Sequence, residues 1–155
     1  MKKRTMVLLV VLLLAVVGVG AVGVYRVQHA YSDYGRVMEA NWGFALPEEA
    51  GIQEVFEADE GPSFHGDGIR YHVFSYEQEA PIQEMTKWQT EDPRVGSSYT
   101  AKAEKWLDEI QVPQEERPDY SACVFYEQRR QLETDEMLLC WNQEQGRLYV
   151  LESFF

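Results

Sequence analysis

SACVFYEQ (residues 121–128), EMLLCWN (136–142) and RLYVLESFF (147–155) are three apolar and aromatic runs separated by short polar connections. Runs of this length and composition, bounded by turn residues, read as strands. In the connection QEQG (143–146), Gly146 is free to take a left-handed turn conformation. The pattern predicts a three-stranded antiparallel meander with a definite register. A first turn between Gln131 and Leu132 sets Val124 opposite Leu139 and Ala122 opposite Trp141. A second turn around Glu144 and Gln145 sets Leu139 opposite Val150 and Trp141 opposite Leu148. Both turns then place Ala122, Val124, Tyr126, Met137, Leu139, Trp141, Leu148 and Val150 on one face. A slip by one residue would turn a strand over, so their agreement supports the pairing.

The other face of the meander is apolar too, with Cys123, Phe125, Leu138, Cys140, Tyr149, Leu151 and Phe155. Either a second element covers it, for which the segment 31–44 with Trp42 and Phe44 is the candidate, or it is an exposed patch that binds a partner, centred on Phe125 and Tyr149. The terminal Phe154-Phe155 suggests a last strand docked in the sheet or into another molecule, because chain ends are ordinarily frayed. The same register sets Cys123 directly opposite Cys140. Cross-strand Cβ atoms lie about 4.5–5.5 Å apart, slightly more than a disulfide needs, so both a bridge and two buried thiols remain open. With no His nearby, the two sulfurs make no zinc site.

Working back along the chain, Tyr99, Ala103, Trp106, Leu107 and Ile110 recur at helical spacing. They predict an amphipathic helix that begins near Ser97 or Ser98, stops before Pro113 and covers the Leu139/Trp141 face. IRYHVFSY (69–76) reads as a strand and IQEVFEAD (52–59) as another. PIQEMTKW (81–88) reads as one helical turn opened by Pro81. In AYSDYGRVMEANWGFA (30–45), Tyr34, Val37, Met38 and Trp42 share a helical face, and Leu46-Pro47 ends the helix.

The amino terminus carries the clearest signal of location. Lys2, Lys3 and Arg4 precede an uncharged run from Met6 to Tyr25. As a helix this run is about 30 Å long, the thickness of a bilayer core. It exceeds the apolar core of an ordinary signal peptide, although Val19-Gly20-Ala21 and Ala21-Val22-Gly23 offer small residues for cleavage. A retained single-pass anchor and a cleaved signal followed by secretion are the two readings. The basic cluster keeps residues 1–5 in the cytoplasm under either, with 6–25 in the membrane and 26–155 outside the cytoplasm.

Composition narrows the function. The chain has 155 residues, 14 basic against 26 acidic, which is room for one modest domain. Setting aside Lys2, Lys3 and Arg4 leaves 11 against 26, so the outer part carries −15. That charge disfavours nucleic acid and anionic lipid head groups. There is no nucleophile elbow, phosphate loop, His-Glu-x-x-His or calcium-loop spacing, and no cofactor motif. The loop Phe64-His65-Gly66-Asp67-Gly68 is the most distinctive string. It is either ordinary turn chemistry or an acid/base or ligand pair on His65 and Asp67, completed by Glu57, Glu77 or His72.

Phe64 to Gly68, with the closing Leu148-Tyr149-Val150-Leu151-Glu152, resembles small membrane-anchored extracytoplasmic proteins of Gram-positive bacteria that have no assigned activity. The resemblance implies an N-terminal membrane segment, a strand, the glycine loop, a further strand and a C-terminal hairpin. It implies no chemistry.

The expected fold is α+β: an N-terminal transmembrane helix, then a mostly antiparallel sheet of about five strands with one or two packed helices. The leading functional expectation is a membrane-tethered, non-enzymatic extracytoplasmic domain. It would bind a protein or envelope component, in an inhibitor- or immunity-like manner, through the 64–68 loop or the Phe125/Tyr149 face. The alternative is a small enzyme or metal-dependent site on His65 and Asp67. A third reading is a subunit of a membrane complex packed through Gly18, Gly20 and Gly23.

Overall fold

The structure, a computed structural model, describes residues 34–60, 67–91, 99–130 and 134–155. The membrane segment expected at 6–25 lies outside the described residues, as do Phe64, His65 and Gly66 of the glycine loop. Among the described residues, no helix is long and apolar enough to cross a membrane. The chain divides into two units, Met1–Ala45 and Leu46–Phe155.

In the first unit, residues 34–42 form helix α1. Tyr34, Met38 and Trp42, four residues apart, are buried, whereas Val37 is exposed, so the apolar stripe is narrower than expected. Gly43, at φ 65, ends the helix by giving its N–H to the Glu39 carbonyl. That stop comes before the Leu46-Pro47 boundary.

The second unit is a five-stranded antiparallel sheet in the order β1-β2-β5-β4-β3. The strands are β1 (Ile52–Asp59), β2 (Gly68–Tyr76), β3 (Cys123–Arg129), β4 (Glu136–Asn142) and β5 (Arg147–Phe154). The helices are α2 (Ala80–Glu84) and α3 (Tyr99–Glu109). An α+β fold with about five strands is therefore what the sequence makes. The meander takes its place as one half of the sheet, and β5, the last strand, is central because it also pairs with β2. The Phe154 end is docked in this way: Phe154 is buried, and the Arg70 guanidinium lies 4.7 Å from its ring centroid.

The second hairpin has the expected register, with Leu139 opposite Val150, Trp141 opposite Leu148, and Gly146 at φ 60. The first hairpin does not. Val124 faces Trp141, Tyr126 faces Leu139 and Cys123 faces Asn142, a shift of two residues. Ala122 falls in a short 3-10 turn ahead of the strand. The ladder closes at Arg129 and Glu136, so the connection is wider than the tight turn assumed. A two-residue shift keeps every side chain on its own face, so hydrophobic alternation cannot detect it. Cys123 and Cys140 thus become diagonal neighbours rather than directly opposed ones, and both are free thiols. Burial pushes the Cys140 thiol up, with the adjacent Cys123 thiol adding to the effect.

The face covered by α3 is also the reverse of the expected one. Ala103, Trp106 and Leu107 pack against Ile69, Tyr71, Val73, Phe125, Leu138, Cys140, Tyr149 and Leu151. The three C-terminal strands are apolar on both sides, so they do not choose. β1 and β2 do, by adding Phe56, Ala58, Tyr71 and Val73 to this side. Phe125 and Tyr149 are each only 1% exposed, so they are core residues and not a partner-binding patch. The Leu139/Trp141 face is buried as well, along with Phe74, Met137, Leu148 and Val150.

α3 stops for a local reason. Val112 N–H bonds the Leu107 carbonyl at 2.9 Å and Gln111 N–H bonds the Asp108 carbonyl at 3.1 Å, with Gln111 at φ 56. This is the Schellman arrangement, and its apolar pair, Leu107 and Val112, enters the core. Glutamine in the left-handed region is strained where glycine is not. Gln111→Gly should therefore raise stability by about 0.5–1 kcal/mol, read as a higher midpoint in urea at unchanged slope.

Candidate functional site

The chemistry-bearing residues gather on the β1–β2 hairpin. Glu57 lies directly opposite His72 on β2. Strand alternation puts residues three apart on opposite faces, so Glu54 and Glu57 would ordinarily point apart. Here the register slips between Glu54 and Phe56. Val55 is the extra residue of a β-bulge and stands 43% exposed. Before the bulge, Glu54 pairs with Phe74; after it, Phe56 pairs with Val73. Glu54, Glu57, His72 and Phe74 therefore share one face, while Phe56 and Ala58 turn to the α3 core.

On that face, ligand atoms of Glu54, Glu57 and His72 all lie within 4.8 Å of one another. His72 Nδ1 and Glu54 Oε1 are 2.6 Å apart, and their side chains are 13% and 12% exposed. Glu57 is exposed at the rim. The imidazole stacks on Phe74, with ring centroids 6.2 Å apart and planes at 9°. Across the ladder His72 meets Val150 and Phe74 meets Leu148, so the neighbours of the imidazole on β5 are apolar. His72 and Glu54 are thus largely shielded from water, whereas Glu57 is exposed.

Two of the three residues suggested as completing a site, Glu57 and His72, do meet; of the partners expected for them, His65 lies outside the described residues. Asp67 is exposed and precedes β2, five residues from His72, about 16 Å along an extended strand. Glu77 follows β2 at the opposite end. Gly68 begins β2 at φ 117, with the Glu60 carboxylate packed against the place a Cβ would occupy. Its glycine is thus required by the backbone conformation, whereas the Glu60 carboxylate could move aside. The Glu54 contribution was not visible in the sequence, because nothing there announces the bulge.

Two other polar groupings are built on ion pairs, and the second leaves the buried Glu104 Oε1 and Tyr120 hydroxyl without a hydrogen-bond partner. Lys102 joins Glu127 and Glu136 over the Trp106 ring, with Arg129 on the outer side. Burial pushes the Glu127 carboxyl up, but Lys102 and Arg129 outweigh it and hold the group below the ordinary glutamate value. Beside the first half of α3, an open cavity of about 530 Å³ is lined by Thr100, Glu104, Arg117, Asp119, Tyr120 and Ser121. Its cation, Arg117, is consumed by Glu104, Asp108 and the Val112 carbonyl. Burial, then Glu104, push the Tyr120 hydroxyl well up.

No protein-family model, curated protein or solved structure matches this chain.

Proposed function

We propose that the protein is a membrane-tethered extracytoplasmic binding domain, inhibitor- or immunity-like in character, that holds a protein or cell-envelope component without turning it over. The observation that carries this reading is the basic Lys2-Lys3-Arg4 cluster followed by the uncharged run Met6–Tyr25, placed ahead of a domain with a net charge of −15. With Phe125 and Tyr149 in the core, recognition falls to the polar exterior. Its acidity favours a cationic partner surface, which charge complementarity would steer and register.

Purification of the intact chain from detergent-solubilised native membranes tests this. Mass spectrometry of the N-terminal peptide should find Met6–Tyr25 retained, together with one stoichiometric basic partner that dissociates as salt is raised. A processed N-terminus with no partner would sink the reading and leave a secreted domain. A second reading, a metal-dependent site, is favoured by the meeting of Glu54, Glu57 and His72 rather than by His65 and Asp67.

A further inference from the structure

We propose that Glu54, Glu57 and His72 form a binding site for one divalent transition-metal ion of the zinc type, set on the bulged edge of the sheet. The inference stands independently of the tethered-binding reading, because it concerns the domain's own affinity for an ion.

Three features support it. The first is convergence. Ligand atoms from two strands lie within 4.8 Å of one another, close to the span of about 4.4 Å that donors at about 2.0–2.2 Å from one ion allow, so small side-chain rotations complete the convergence. Carboxylates on an edge strand commonly discourage edge-to-edge pairing, but any outward placement serves that purpose. Bringing Glu54 round to the side of Glu57 requires the bulge at Val55, which undoes the strand's own alternation.

The second feature is the donor set. One imidazole with two carboxylates suits zinc, cobalt or manganese, whereas magnesium and calcium favour all-oxygen shells. The third is support. Stacking on Phe74 fixes the His72 ring, and the low exposure of His72 and Glu54 beside apolar Phe74, Val150 and Leu148 strengthens charge interactions there. His72 Nδ1 and Glu54 Oε1 now form a 2.6 Å hydrogen bond. When an ion takes the lone pairs there, any proton held between them passes to solvent. With three protein donors and the exposed side at Glu57, water completes the coordination.

The test is titration of the full chain in mild detergent with Zn²⁺ alone, in the presence of excess Mg²⁺, by equilibrium dialysis and calorimetry. Co²⁺ serves as the visible-absorption reporter. The wild type should bind one Zn²⁺ per chain that Mg²⁺ does not displace. His72→Ala and Glu57→Gln should each weaken it by at least about tenfold, since loss of even an outer-shell partner has effects of that size. The Co²⁺ visible band should fall with His72→Ala. Glu115→Gln, an exposed carboxylate on a separate turn, should bind as the wild type does. Glu57→Gln lies at the exposed rim and should melt like the wild type, so its result survives even where His72→Ala fails to fold. The proposal is overturned by absence of a one-equivalent site or by displacement of Zn²⁺ by Mg²⁺. Equal affinity in Glu57→Gln and wild type, or equal weakening in Glu115→Gln, would overturn it as well, by pointing to diffuse binding on the acidic surface.

Discussion

Phe125→Ala should destabilise the domain by about 3–5 kcal/mol, the usual result of emptying a buried phenylalanine site. The side chain is 1% exposed and stacks on Tyr99 of α3, with ring centroids 5.1 Å apart. The substitution removes apolar burial, leaves a cavity between α3 and the sheet, and breaks a stacked pair worth a further 0.5–1.5 kcal/mol or so. A domain of this size has only about 5–15 kcal/mol in hand. The melting temperature of the intact chain, followed by tryptophan fluorescence in mild detergent, should therefore drop by at least about 12 °C. Phe125→Leu keeps most of the volume and should lose less than about 1.5 kcal/mol. If Phe125 instead faced a partner, alanine would leave the melt almost unmoved and abolish binding. A near-silent melt is the outcome that refutes the packing described here.

That contrast shows where the sequence was legible. The elements were readable because each carries its own period and punctuation. IQEVFEAD became β1 residue for residue, and EMLLCWN became β4. α3 lies between Ser98 and Pro113 because a helical apolar stripe and a proline define it. Gly146 marked the second turn correctly. Sidedness was not readable. Strands covered on both faces lose the polar-apolar alternation that tells inside from outside, so 136–142 and 147–155 pointed both ways. What settles the matter is long-range, namely that β2 pairs with β5 and brings Tyr71 and Val73 beside Leu138, Cys140 and Tyr149. The first hairpin failed for a related reason, since a shift by two residues conserves every face.

Glu54, and the convergence of Glu57 with His72 on it, escaped the sequence for a different reason. His65 and Asp67 drew attention because glycines surround them. Glu54, Glu57 and His72 sit in strands, where a lone His and alternating acids look like an ordinary solvated edge. Their meeting depends on two events that no local motif encodes, the pairing of β1 with β2 and one inserted residue at Val55. Bulges commonly re-aim a side chain in this way. The consequence for reading such chains is concrete: two acids three apart in a strand should be tested for a bulge before they are assigned to opposite faces.

Arg117→Ala should lower stability by about 2–4 kcal/mol, between the value of a single charged hydrogen bond and that of a broken buried ion pair. The guanidinium reaches three parts of the chain. One terminal nitrogen donates to Glu104 and to Asp108, each at 2.7 Å, while Nε and the other terminal nitrogen both donate to the Val112 carbonyl, at 3.0 and 2.9 Å. It thus binds two successive turns of α3 to Val112, beyond the helix end. The side chain is 9% exposed, Glu104 33% and Asp108 71%. Burial works against the charge, but Asp108 and Glu104 more than offset it and hold the guanidinium's pKa above its usual value. Arg117→Lys keeps the charge but cannot reproduce the fork, and should recover less than half of the loss. A double-mutant cycle separates the partners. Coupling of Arg117 to Glu104, measured through Glu104→Gln, should exceed its coupling to Asp108, measured through Asp108→Asn, and should resist salt, because water screens the more exposed carboxylate. Equal couplings that vanish together in salt would mean that the fork is a surface ornament, and that the segment carrying Arg117 is held to α3 by other contacts.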